Sequence, residues 1–395
     1  MDGKRVYDEA TGTLLYSLDG SNTETPPSED EEVVENGGLY DSEGNILADW
    51  STLTETYGLD VEKDYDSETY HTETTSIYYI LNNYTELSSA TKLVISDTVE
   101  NIGDCAIAST NLTDIEISNN VKNIGAGALC ANMKLTSIEI PDSVEIIDET
   151  AFSFCMNLES ITFGENSKLT EIGENAFGFA GFTSITIPAS VTTIGKNPFY
   201  ASDVANIGVE SGNTSYKSIN GNLYTIDGKV LVAYARGKTD TTFEMPEGVT
   251  EIALHAMDEC TNLTSVVIPD SLTKIGEYAF QSTVKLESIT FGENSSLDTI
   301  ELAAFQYSTI KSIEIPSGVT SISERAFSQC SKLESVTITN NVTNIGSYAF
   351  GDCESLITIN YEGTMEQWES IEFGENWDND SGTYTVYCTD GEITK

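Results

Sequence analysis

From residue 90 onward, hydrophobic positions recur in a fixed order. An opening leucine or its equivalent is followed by two more apolar residues three and five places on, with polar residues between them. The openings fall at Leu112, Leu135, Leu158, Phe182 and Val204, and again at Leu263, Leu286, Ile310, Leu333 and Leu356. Their spacings are 23, 23, 24 and 22, then 23, 24, 23 and 23. A period this steady is the mark of a solenoid, in which each repeat is one coil. The 59 residues between Val204 and Leu263 divide into a 36-residue unit and a 23-residue unit opening at Asp240, with Phe243 and Met245 in the apolar slots. One more coil precedes Leu112, with Leu93, Ile95, Val99 and Ile102 in register, which makes about twelve coils of 22–24 residues.

Within a coil the pattern changes period. Leu135, Ile138 and Ile140 alternate with Ser137 and Glu139, as in a strand with one buried face. Pro141 ends that strand, and Pro188, Pro246, Pro269 and Pro316 take the same slot, where a missing N–H stops ladder pairing. Val144 and Ile147 then turn inward. The pair Ala151-Phe152 recurs as Ala176-Phe177, Ala279-Phe280, Ala304-Phe305, Ala326-Phe327 and Ala349-Phe350, and a short helical or 3₁₀ turn is expected to carry it. A single coil cannot bury enough surface to offset the entropy of ordering it, so stability must come from stacking, and both open ends need covers. Cys155, Cys260, Cys330 and Cys353 each lie three residues before an opening leucine and read as a column of buried thiols. Cys330 and Cys353 lie one coil apart, a spacing a disulfide would also suit.

The unit L-x-x-I-x-I-P-x-x-V-x-x-I-G-x-x-A-F-x-x-C, read in Leu263 to Lys285 and Ile310 to Lys332, resembles the BspA-like (treponemal class) leucine-rich repeat. The resemblance implies a right-handed leucine-rich-repeat superhelix, with a parallel β-sheet on one face and short helical or 3₁₀ turns on the other. The organisation that follows is a hairpin-like segment over 1–25, an acidic Pro-containing linker over 26–38 and an N-terminal cap over 39–89. Repeats then occupy 90–361, with a hairpin insertion around 204–239, and a C-terminal cap fills 362–395. Asp227-Gly228 between two apolar runs predicts a tight, projecting hairpin turn. Thr364 followed by Gln367 fits a capping box for a short helix bearing Trp368.

Charge excludes several functions. Against 18 Lys and Arg stand 64 Asp and Glu, a net of −46 with two histidines. With a pI near 4.1, the chain lacks the cationic face that nucleic acid or an anionic membrane requires. No stretch approaches the ~18 apolar residues of a spanning helix, so no membrane insertion is expected. Met1–Gly20 holds no apolar leader core, so a signal is not present in this chain: either the protein stays inside or a signal was removed before this numbering began. Triad chemistry needs a histidine, and His71 and His255 both read as wall or linker residues rather than bases. No enzyme is expected, and an enzyme hidden in the N-terminal segment is the remote alternative. No cofactor is expected either. Asp60, Glu62, Asp64 and Asp66, or Asp378 and Asp380, offer the oxygen donors calcium would use, yet match no 12-residue calcium loop. Asn-x-Ser/Thr triplets such as those at Asn83, Asn262 and Asn341 read as turn residues.

What remains is the strand face. Its outward positions form two columns: Asp114, Ser137, Ser160, Ser184, Ser265, Ser288, Ser312 and Ser335, and Glu116, Glu139, Thr162, Thr186, Thr290, Glu314 and Thr337. Short polar side chains cost little entropy to order and can hydrogen-bond. They are the candidate ligand contacts, with the projecting hairpin at Asp227 as second candidate. The resemblance implies an adhesin-like, secreted or surface-displayed binding protein, monomeric, whose partners are extracellular proteins or glycans, host matrix proteins among them. A spacer without a specific ligand is the alternative.

Overall fold

The computed structural model describes residues 37–395 throughout and, before them, only the strands Arg5–Tyr7 and Leu14–Ser17, which pair antiparallel. The rest of the expected hairpin segment, and the acidic linker up to residue 36, lie outside the described residues. The chain forms two compact units, Met1–Glu35 and Asn36–Lys395, and the repeats fall wholly in the second.

One wall of the second unit is built from thirteen strands. They are β3 (Lys92–Val94), β4 (Asp114–Glu116), β5 (Ser137–Ile140), β6 (Ser160–Phe163), β7 (Ser184–Ile187), β8 (Asn206–Val209), β12 (Thr242–Glu244), β13 (Ser265–Ile268), β14 (Ser288–Phe291), β15 (Ser312–Glu314), β16 (Ser335–Ile338), β17 (Thr358–Tyr361) and β18 (Thr385–Cys388). Register follows the repeat: Ser160 pairs with Ser137, Ser265 with Ser288 and Ser312 with Ser335, all parallel. The inward residues Ile138, Ile161, Val266, Ile289 and Val336 are buried. The thirteenth strand comes from the closing segment and extends the count of about twelve.

A second parallel ladder runs beside the first. It consists of two-residue strands such as Asn123–Ile124, Ile146–Ile147 and Glu171–Ile172, paired in sequence. The proline slot links the two walls as a turn, with Val144 N–H donating to Pro141 O at 3.2 Å and Val319 N–H to Pro316 O at 3.0 Å.

The Ala-Phe segment is a run of turns rather than a continuous helix. Ser153 N–H donates three residues back, to Thr150 O at 2.9 Å, while Phe152 N–H and Phe154 N–H donate to Ala176 O (2.8 Å) and Gly178 O (2.7 Å) of the next coil. Thr150 and Phe154 hold φ of +53° and +60°, and left-handed residues at these slots interrupt any helix. The phenylalanines themselves stack down the core. Ring centroids of Phe280, Phe305, Phe327 and Phe350 are 5.1, 5.1 and 5.3 Å apart and nearly parallel. All seven cysteines are free, and the thiols of Cys155, Cys330 and Cys353 donate to carbonyls of the preceding coil.

The long unit corrects one expectation. Its strands β9 (Tyr216–Ile219), β10 (Asn222–Thr225) and β11 (Val230–Ala233) form an antiparallel meander, and β11 then joins the second ladder in parallel with Glu251–Ile252. The turn at Asp227-Gly228 forms as expected, with Gly228 at φ +76° and Lys229 N–H donating to Asp227 Oδ1 at 3.0 Å. Exposure is confined to that tip, Ile226, Asp227 and Lys229, and to Ser218 and Asn220 at the preceding turn. Leu223, Tyr224 and Leu231 are fully buried, so the meander is an internal plate and not a projecting hairpin. Leu223 and Ala233 belong to a core running from Leu39, while Tyr224, Leu231 and Tyr234 belong to a second core running to Val386. Alternation puts Leu223 and Tyr224 on opposite faces of β10, and the register shift between them lets their partners Ala233 and Leu231, two residues apart on β11, follow them to different cores.

Both ends are closed. Strand β1 (Gly38–Tyr40) pairs antiparallel with β3 and with β2 (Ile46–Asp49), and helices α1 (Trp50–Glu55) and α2 (Ile77–Asn83) follow, each with a side-chain N-cap. The segment Val61–Tyr65 covers the edge of the second ladder: Gly103 N–H donates to Val61 O and Tyr65 N–H to Asp104 O, both at 2.8 Å. A Cβ on Gly103 would stand 2.3 Å from Lys63 O, so only glycine permits this approach. At the other end, β19 (Gly391–Thr394) pairs antiparallel with β18. Helix α3 (Met365–Glu369) has the reciprocal Thr364–Gln367 capping box and buries Trp368 against Tyr361 and Phe373.

Candidate functional site: the strand wall

Every candidate contact residue lies on one wall and none is buried. Glu116, Ser137, Glu139, Ser160, Thr162, Ser184, Thr186, Ser288, Thr290, Ser312 and Glu314 are exposed; Asp114, Ser265, Ser335 and Thr337 are half-exposed. Strand pairing aligns them in columns, Glu139 opposite Thr162 and Glu314 opposite Thr337. Two are already engaged, because Lys92 on β3 lies 3.1 Å from Asp114 Oδ2 and 2.5 Å from Glu116 Oε1.

The wall is not one uninterrupted ladder. Pairing lapses between β4 and β5, between β6 and β7, where the meander enters between β8 and β12, and between β14 and β15. Two of these breaks have a visible cause. The 24-residue coils carry the same loop, Phe163-Gly164-Glu165-Asn166-Ser167 and Phe291-Gly292-Glu293-Asn294-Ser295, after the strand. That loop folds back on the preceding coil: Asn166 N–H donates to Asp142 Oδ1 at 2.9 Å, and Asn294 N–H to Asp270 Oδ1 at 3.0 Å. The strand end is thereby drawn toward the coil before it and away from the coil after it. The break between β4 and β5 follows a coil of ordinary length and has no such explanation.

Each of these three breaks opens as a cleft. The cleft between β14 and β15 holds about 950 Å³ and is lined by Ser288, Thr290, Glu293, Ser312, Glu314, Thr337, Thr339 and Glu362 among others. Those at β4/β5 and β6/β7 hold about 500 and 340 Å³. Glu293, Thr339 and Glu362 were missed by the sequence reading. The duplicated Ile-Thr-Phe-Gly-Glu-Asn-Ser, at 161–167 and 289–295, was the available signal.

Groups weighed for chemistry have structural roles. His255 sits at φ +56°, stacks on Tyr278 at 4.9 Å and places Nδ1 3.0 Å from Asp258 Oδ2. It is half-buried in the solenoid wall. Asp258 is 6% exposed and its Oδ1 lacks a partner; burial raises its carboxyl above the ordinary value, against the opposing bond from His255. His71 lies in a 3₁₀ turn of the N-terminal cover, edge-on to Tyr70. Burial pushes the Cys155, Cys260 and Cys330 thiols up to about 12, which keeps them from acting as thiolates. Of the acids weighed for calcium, those at 60–66 cap backbone, while Asp378 Oδ2 accepts from the Tyr384 and Lys395 side chains and Asp380 Oδ2 from that of Asn379. Glu62 Oε1 accepts from Glu100 N–H and Asn101 N–H, Asp64 Oδ1 from Asp104 N–H, and Asp60 Oδ1 from Glu62 N–H. No helix among the described residues is long and apolar enough to cross a membrane.

Comparison with known proteins places this architecture. The profile of the BspA type leucine rich repeat region matches six copies over residues 79–218 and 233–357, about two thirds of the chain. Among solved structures, the pneumococcal vaccine antigen PcpA is 26% identical, with TM-score 0.64 over 74% of this chain and 78% of that one. A leucine rich cell surface protein from Faecalibacterium prausnitzii A2-165 is 32% identical, with TM-score 0.58 over 74% and 84%. A leucine-rich repeat protein from Eubacterium ventriosum ATCC 27560, 21% identical with TM-score 0.56 over 77% and 95%, shares the fold. Among curated proteins none matches the chain. The recurring coil, its paired walls and these relatives agree: the chain belongs to the BspA-type leucine-rich repeat family.

Proposed function

We propose that this protein is a non-enzymatic binding protein, displayed at or released from the cell surface, that docks an extracellular protein or glycan on its strand wall. The observation that carries the reading is the wall itself. Thirteen strands at ~4.8 Å spacing extend for several tens of ångströms, and their outward side chains are short, polar and accessible. Such a surface suits an extended partner better than a small molecule, since specific protein interfaces bury roughly 800 Å² per partner. The relatives described as a cell surface protein and a vaccine antigen support the surface setting.

The test is a binding screen against matrix proteins and glycans, with hits repeated at ~0.5 M salt to remove attraction that is merely electrostatic. Ser137→Arg with Ser160→Arg places two long cations on neighbouring strands. Loss of a hit in this variant at unchanged melting temperature locates binding on the wall. Retention both here and in Ser312→Arg with Ser335→Arg, the matching pair on neighbouring strands in the other half of the wall, refutes that location, and a screen without salt-resistant hits favours a spacer role.

A further inference from the structure

The cleft between β14 and β15 has a chemistry its surroundings do not share. Glu293, Glu314 and Glu362 line it, no lysine or arginine does, and none of the three carboxylates has a hydrogen-bond or ion-pair partner among the described residues. Thr339, in the slot that proline takes in other coils, is 7% exposed, and its Oγ1 is buried without a partner. No ladder joins β14 to β15; the one backbone bond across the gap is Lys311 N–H to Glu287 O at 3.1 Å, and the facing edges otherwise keep unpaired backbone groups, carbonyl acceptors among them. Every charged group lining the cleft is a carboxylate, and its hydroxyls can accept as well. The smaller clefts at β4/β5 and β6/β7 repeat the theme, lined by Asp97 and Glu139, and by Glu159 and Glu210, again without a basic residue.

We propose that the β14/β15 cleft seats the cationic side chains of an extended basic segment in a partner protein. The proposal rests on the strand wall being the docking face and names what that face recognises. An ammonium or guanidinium group brings several donors and no acceptor, the complement of this lining. An anion is repelled by a chain of net charge −46. A neutral sugar would leave three carboxylates uncompensated. A bound metal would need oxygens converging on one point within ~2.6 Å, whereas these carboxylates come from different coils. The spacing adds a prediction. Glu314 on β15 and Glu362, two residues past its register partner Asn360 on β17, are offset by two strand spacings and two residue rises, about 12 Å, a distance that four residues of an extended chain span with both side chains on one face. Basic residues should therefore recur at every fourth position.

The probe is the peptide Lys-Ser-Ser-Ser-Lys-Ser-Ser-Ser-Lys, titrated calorimetrically into the full chain at physiological ionic strength. A peptide of the same composition with its lysines consecutive is the spacing control, and maltoheptaose the neutral-sugar control. The spaced peptide is expected to bind about tenfold more tightly than the clustered one. Glu314→Gln with Glu362→Gln should weaken it about tenfold, and Thr339→Val several-fold. Glu277→Gln with Glu324→Gln removes the same charge from the turn side and should change affinity less than twofold. Equal loss in both glutamine pairs, equal binding of the two peptides, or binding of maltoheptaose in place of either peptide overturns the proposal. The spaced peptide should still bind Ser137→Arg with Ser160→Arg, whose changes lie in the other half of the wall. Failure of the cleft and failure of the wall reading are thus separately visible.

Discussion

Single side chains in this fold are held by what surrounds them more than by what they are. Asp258 illustrates this, as a buried carboxyl with one oxygen bound by His255 and the other unpartnered. Its folded form holds a proton more tightly than the unfolded chain does, because desolvation raises its pKa above 3.8. Ionisation therefore costs stability at neutral pH, and the cost fades as pH falls through the folded pKa toward 3.8. Asp258→Asn keeps an acceptor for His255 and removes the charge. It should raise stability near neutral pH by on the order of 1–2 kcal/mol, with the gain gone below that ordinary carboxyl value. Urea melts at the two pH values check both halves; an equal gain at both would assign the effect to packing. Thr339→Val removes a buried hydroxyl that makes no bond and preserves shape. A stabilisation of about 1 kcal/mol is expected, and a destabilised variant would mean the hydroxyl has a partner in solution.

At the scale of elements, the stacked phenylalanines and the split wall divide the work. Phe327 lies between two parallel rings and is fully buried, so Phe327→Ala should cost about 3–5 kcal/mol. Amide exchange should locate the loosening in the coils on either side; a uniform loss of protection across both cores would contradict it. The strands and the proline-slot turns were legible in the sequence because each follows from a local pattern of two to five residues repeated coil after coil, and the capping box on α3 because Thr364 and Gln367 stand at its fixed spacing. The second ladder was not, since strands of two residues leave too short an alternation to read. The breaks escaped for another reason. Those beside the two 24-residue coils depend on Asp142 and Asp270, which lie in the coil before the loop they hold, and a single-unit consensus hides such a pairing. The meander escaped because Leu223 and Tyr224 are both apolar, and only the presence of cores on both faces explains it.

For the molecule as a whole, electrostatics opposes folding. The chain carries −46, and its ion pairs among the described residues are mostly exposed, where each contributes ~0–1 kcal/mol. Raising salt from ~10 mM to ~0.5 M shortens the screening length from ~30 Å to a few ångströms. The melting temperature should rise by several degrees over that range, read by calorimetry. A flat response would mean the acids are already balanced locally. The plate formed by β10 and β11 ties the two cores together, so the repeats should still melt as one transition in high salt.

The terminal strands carry a consequence for assembly. Antiparallel β1 and β19 occupy the positions where a further parallel strand would add, and Val61–Tyr65 does the same for the second ladder. Another copy cannot continue the parallel stack at these edges without first displacing these strands, so the coils are not expected to run on from one copy into the next. Reach then becomes an inherited quantity: lengthening the molecule requires duplicating codons, not recruiting subunits.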